Sequence, residues 1–196
     1  MPRIGVIIGS TREGRFADRV MEWLTPFLQQ RTDLSFETLD LRDFELPFFN
    51  ERASNAYAPT QHPEGRRWQE TLTGFDGFIF LVAEYNHAPT AVLKNALDYA
   101  YPEWQRKPAA CVGYGGVGGA RAVEGLRTIL AELQMAPVRH AVHIAGNDFY
   151  AAVTGQQPLT ALTYLNASVD AMLDDLSWWA HALNAARNAP ATAPRN

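Results

Sequence analysis

The chain has 196 residues, 47% of them hydrophobic, which supports one sizeable core and is short for two domains. A formal net charge of -4 excludes the basic field that nucleic acid or an anionic membrane would require. A single cysteine, Cys111, excludes an intrachain disulfide framework and fits a reducing compartment.

The first apolar run, residues 4–8, ends at Gly9 and Ser10. It is too short for the core of a signal peptide and reads as a strand entering a turn. No stretch approaches the roughly 20 apolar residues that span a bilayer, so a cytoplasmic protein is expected. Val20, Trp23, Leu24, Phe27 and Leu28 then mark one face of a helix. Residues 36–41 alternate as a second strand. Residues 47–63 form a long polar loop, of a length that is often functional. Residues 78–82 are the most apolar strand, and Val92, Leu93, Ala96 and Leu97 mark the helix after it. A fourth strand covers 109–113 and contains Cys111, read as a core residue. Val123, Leu126, Leu130 and Leu133 mark the next helix, and 141–144 is the fifth strand. A last helix carries the stripe Leu162, Leu165, Val169, Met172, Leu176, Trp179 and Leu183. The domain is expected to occupy 1–187, with a frayed tail over 188–196.

This alternation predicts an α/β fold, a five-stranded parallel sheet with helices on both faces, in the flavodoxin-like order 2-1-3-4-5. In such a sheet ligands bind beyond the carboxyl ends of the strands. Three turns fall at that edge. The first, GSTREGR, leads into a helix N-terminus, where free amides, the Ser10 and Thr11 hydroxyls, and Arg12 and Arg15 suit a phosphate. It carries neither dinucleotide-binding nor P-loop spacing. An ordinary helix start with two solvated arginines fits the same residues. The second, Ala83 to His87, offers backbone for the edge of a flat ring and Tyr85 to cover it; a strand end with Thr90 or Asn86 as helix cap is the alternative. The third has four glycines, Gly115, Gly116, Gly118 and Gly119, and allows close approach to a flat ligand or merely a flexible connection. His140 and His143 are three apart on a strand and point to opposite faces, which argues against a metal site.

Together these segments resemble the NADPH-dependent FMN reductase family, which includes flavin, quinone, azo-dye and chromate reductases of flavodoxin-like fold. The opening motif G-S-x-R appears as Gly9-Ser10-Thr11-Arg12. The central P-E-Y-N and L-K-N-A-x-D appear as Glu84-Tyr85-Asn86 and Leu93-Lys94-Asn95-Ala96-Leu97-Asp98. The glycine loop matches Gly115 to Gly119 with Arg121. Ala83 departs from the usual proline, Arg15 from serine and Ala17 from asparagine.

The resemblance implies FMN with NADPH or NADH as co-substrate. The phosphate would lie on residues 10–16, with Ser10, Thr11, Arg12, Arg15 and Phe16 around it, Arg12 being the more secure of the two arginines. The isoalloxazine would lie against Ala83, Glu84, Tyr85 and Asn86 and against Tyr114, Gly115, Gly116 and Gly119. No catalytic acid or base is implied, and His87 is read as solvated or capping rather than facing the acceptor. The acceptor would be a quinone, free flavin or a related small molecule. An FMN electron carrier or a flavin-binding sensor protein is the alternative, but the charge is mild for a docking carrier. A homodimer or homotetramer is expected, with the aromatic run Tyr99 to Trp104 as its exposed contact surface.

Overall fold

The computed structural model describes residues 1–189. The part of the predicted tail over 190–196 lies outside them. Chain order is β1 (Arg3–Ile8), α1 (Ala17–Gln30), β2 (Ser35–Asp40), α2 (Pro63–Thr73), β3 (Gly77–Ala83), α3 (Ala91–Asp98), β4 (Pro108–Tyr114), α4 (Ala120–Glu132), β5 (Ala136–Pro137), β6 (Val142–Ile144), α5 (Gly146–Thr154) and α6 (Asn166–Asn188). The strands pair in parallel in the order β2-β1-β3-β4-β5, with β6 also on β4.

Alternation along each strand divides the core. Ile4, Val6, Ile79, Leu81, Ala110 and Val112 face α1 and α6. Ile7, Phe78, Phe80, Val82, Ala109 and Cys111 face α2, α3 and α4. The strands read as unbroken apolar runs because helices cover both faces. Burial pushes the Cys111 thiol up to about 12, so the residue behaves as a small core hydrophobe.

The predicted order is observed, with one correction. The fifth sheet position is not one strand over 141–144. It is two short pieces: β5 pairs with Pro108 and Ala109, and β6 pairs with Val112, Gly113 and Tyr114. Between them Arg139, His140 and Ala141 leave the ladder, and Arg127 holds the carbonyls of Val138 and Arg139 at 3.1 and 2.7 Å. The sheet is therefore six-stranded. Two helices carry no reading above, α2 and α5. Leu162 lies between two short 3-10 turns and Leu165 ends the second, so both precede α6 rather than opening it.

The aromatic run is a second correction. Tyr99 and Trp104 are fully buried inside the subunit, not exposed for a partner. Trp104 packs edge-on against Phe78 with ring centroids 4.9 Å apart, and its indole N–H donates to Leu97 O at 3.1 Å. After α3 the chain folds back under the sheet, so the aromatics serve the core.

Candidate functional site

The turns after β1, β3 and β4 meet at one edge because their strands are parallel and in register: Ile8 pairs with Leu81, and Ala83 with Tyr114. The first two turns are fastened together. Gly9 N–H donates to Leu81 O at 3.1 Å. Thr90 caps α3 through Leu93 N–H at 3.2 Å, and its hydroxyl also donates to Gly9 O. Ser10 and Tyr85 hydroxyls meet at 3.1 Å.

In the first turn the two arginines take different roles. Arg15 is buried and donates to Ser10 O at 2.6 Å, to Asp18 at 2.7 Å and to both oxygens of Asp40. Burial by itself would raise the Asp40 carboxyl, but the Arg15 hydrogen bonds, the Arg42 backbone N–H and the charges of both arginines together hold the group below its usual range. Arg15 thus braces the turn from within, its charge already matched. Arg12 is exposed, and among the described residues its guanidinium has no hydrogen bond or ion pair. Thr11 is exposed beside it, while Phe16 is buried against Tyr114 and Phe149 at 5.6 and 5.3 Å between ring centroids. No side chain caps the N-terminus of α1, which leaves its first amides open to a ligand.

The second turn is a two-residue hairpin. Tyr85 and Ala88 exchange backbone hydrogen bonds of 2.9 and 3.1 Å, while Asn86 and His87 sit at φ 50° and 69°. Two successive left-handed residues are the signature of a type I′ turn, and neither here is glycine. Asn86 therefore shapes the turn; it caps no helix. Such strain gathers where structure around a site enforces it. Ala83 is buried at the strand end. Glu84 is buried too, and its carboxylate accepts from Arg121 N–H at 3.1 Å, Ala122 N–H at 3.4 Å and the Arg121 guanidinium at 2.6 Å. Burial would raise its pKa, but these donors bring it below the usual carboxylate range. Glu84 is the cap of α4. Arg121 also donates to His87 Nε2 at 2.7 Å, so Glu84, Arg121 and His87 tie the second turn to the third.

The third turn folds tightly on itself. Gly119 has φ 65°, and a Cβ there would lie 2.7 Å from Tyr114 N. Gly118 N–H donates to Gly115 O at 2.9 Å, and His143 Nδ1 meets Gly118 O at 2.8 Å. Gly116 is open, with the Tyr150 hydroxyl just beyond the place of a side chain. Tyr150, on α5, escaped the reading of the sequence because α5 was not recognised; a helix after the last strand must start at this edge, and that was the available signal. His140 stands apart, bound to Asp175 at 2.6 Å. No group of three or more His, Cys, Asp or Glu side chains suited to a metal occurs among the described residues.

A cleft of ≈ 290 Å³ adjoins the first turn at Thr11, walled by Leu41, Phe44, Pro47 and Phe48 and by Val92 of α3. A larger hollow of ≈ 610 Å³ lies between α1 and residues 155–160 and is lined by none of the three turns. The chemistry-bearing residues define the candidate site; hollow volume does not.

Known proteins resemble this chain over most of its length. The profile of the NADPH-dependent FMN reductase family matches residues 2–149. The chain is 34% identical over 164 residues to the NAD(P)H-dependent FMN reductase ntnL of Nectria sp, covering 78% of this chain and 81% of that one. It is 30% identical over 141 residues to a 2-hydroxy-1,4-benzoquinone reductase of Burkholderia sp, covering 68% and 72%. Its fold is shared with FerB, an NAD(P)H:(acceptor) oxidoreductase of Paracoccus denitrificans, with a TM-score of 0.69 at 24% identity over 91% of this chain and 98% of that one. The chain belongs to the NADPH-dependent FMN reductase family.

Proposed function

We propose that this protein is an FMN-dependent oxidoreductase that carries reducing equivalents from NADPH or NADH to a quinone, free flavin or similar small acceptor. The observation that carries the reading is the convergence, at one sheet edge, of an uncapped helix start with an unpaired Arg12, a strained two-residue hairpin and a folded glycine loop. These features fit FMN. Ser10, Thr11, Arg12 and the open amides of α1 match a single phosphate. Backbone of residues 83–86, with Tyr85 beside it, matches the polar edge of a flat ring, and Gly115, Gly116 and Gly119 admit that ring close to the main chain. Phe16 and Arg15 support the phosphate turn from below.

The redox chemistry would be the flavin's. The protein binds, orients and shields. The Glu84–Arg121 pair keeps the hairpin and the glycine loop at a fixed separation, and we assign no side chain as acid or base. The family relationship favours an enzyme over an electron carrier, as does the mild net charge of -4. We read residues 1–187 as one domain acting in the cytoplasm as a homodimer or homotetramer; no helix among the described residues is long and apolar enough to cross a membrane.

Anaerobic mixing of the flavin-loaded protein with NADPH tests the reading. Rapid bleaching of the flavin and its return on adding a quinone are expected. A protein that takes up no FMN, or whose flavin NADPH and NADH fail to bleach, would overturn it.

A further inference from the structure

Tyr114 closes β4 on the face that carries Ala110 and Val112. Its ring packs edge-on against Phe16, the residue immediately before α1, so it lies beneath the phosphate turn and not in the flat-ring cradle. The residue is 4% exposed, and its hydroxyl has no hydrogen-bond partner among the described residues. Native proteins seldom leave a buried hydroxyl unpaired, and an orphan of this kind calls for a partner from outside the chain.

The groups electrostatically coupled to that hydroxyl are Tyr85, Arg15, Asp18 and Arg12. None of them accepts from it: the arginines have donors only, and neither Asp18 nor Tyr85 makes a hydrogen bond to it. Arg12, whose guanidinium has no partner among the described residues, favours an anionic acceptor. Burial, with Tyr85 adding to it, pushes the Tyr114 phenol above its ordinary range, so it stays a donor at neutral pH.

We propose that the Tyr114 hydroxyl donates a hydrogen bond to the phosphate of FMN from beneath the first turn, opposite the exposed Arg12. The proposal rests on the cofactor reading above and assigns Tyr114 to the phosphate rather than to the isoalloxazine. It makes the phosphate site two-sided, with a buried neutral donor below and an exposed cation at the rim.

The test is Tyr114→Phe in the full-length apoprotein, which keeps the ring against Phe16. FMN and riboflavin are titrated separately by flavin fluorescence. FMN affinity should fall roughly 10-fold or more, the scale of a hydrogen bond to a charged group, with riboflavin affinity unchanged. The rise in melting temperature given by inorganic phosphate should also shrink in the variant. Equal FMN affinity in variant and parent would overturn the proposal and make an ordered water the partner. Parallel losses for FMN and riboflavin would overturn it too, placing the contact on the ribityl chain or the ring. A parent that binds no FMN would defeat the cofactor reading itself, an outcome separate from either of these.

Discussion

The two edges of the sheet are built from similar residues and used differently. At the amino edge, before β3, Asp76 accepts from Arg3 N–H at 3.0 Å, from Arg187 at 2.7 Å and from Asn184. Arg187 also donates to Arg106 O at 2.7 Å, and the buried Lys107 ammonium to Leu72 O at 3.0 Å. The charges of Asp76, Arg187 and Lys107 are answered by the chain, and α6 is fastened to the sheet. At the carboxyl edge the Arg12 guanidinium, the Tyr114 hydroxyl and the first amides of α1 have no side-chain partners among the described residues. Satisfied polar groups hold the fold together. At the carboxyl edge the unpaired groups, held in place by their neighbours, are free to meet a ligand.

Arg15 against Arg12 is the sharpest form of this contrast. Arg15→Ala should lower stability by about 3 kcal/mol in urea unfolding, because it strands the partly buried Asp40 carboxylate. Removing Asp40 as well should restore part of that loss. A loss under about 1 kcal/mol would place Arg15 among ordinary surface pairs.

Lys107 tests the amino edge through pH. Burial first, and Arg187 second, pushes its pKa down from 10.5 to about 8. The unfolded chain holds this proton more tightly, so folding works against it. Below pH 8 both states are protonated and the penalty is complete. Stability should rise as pH goes from about 8 toward 10.5, by at most about 3 kcal/mol, and Lys107→Met should remove that rise. Identical pH profiles in variant and parent would contradict the buried ammonium.

Arg12→Ala sharpens the carboxyl edge. Stability of the apoprotein should not change. FMN affinity should drop roughly 10- to 100-fold, matching about 1.5–3 kcal/mol for a charged hydrogen bond, while riboflavin binds as before. The smallest effect is at the hairpin. Asn86→Ala, at φ 50°, should cost about 1 kcal/mol, whereas Asn86→Gly should be nearly neutral. Equal costs for the two would mean that the turn carries no backbone strain.

The fold could be read because period and topology are local signals. Apolar runs such as 78–82 and the helical spacing of Val20, Trp23, Leu24 and Leu28 have one sensible arrangement, and parallel connection puts their following turns at one edge. Motif spacing located the three turns. Side-chain direction could not be read that way. Arg12 and Arg15 look alike on paper; Asp40, 25 positions later, turns one of them inward. The backbone of Glu84 was expected at the ring edge; that its carboxylate also caps α4, a contact across 37 positions, could not be read. Tyr99 to Trp104 looked like an exposed aromatic surface, since sequence alone does not say that the chain folds back beneath Phe78. The fifth strand was read as one piece because its first half is two residues long and contains a proline.

Hydrogen exchange of the backbone amides, with and without saturating FMN, tests the division between the two edges most directly. The account predicts new protection over residues 10–18, 83–88 and 115–122, with residues 74–77 and 105–109 at the amino edge unchanged. Protection spread over both edges, or centred on the hollow between α1 and residues 155–160, would contradict it.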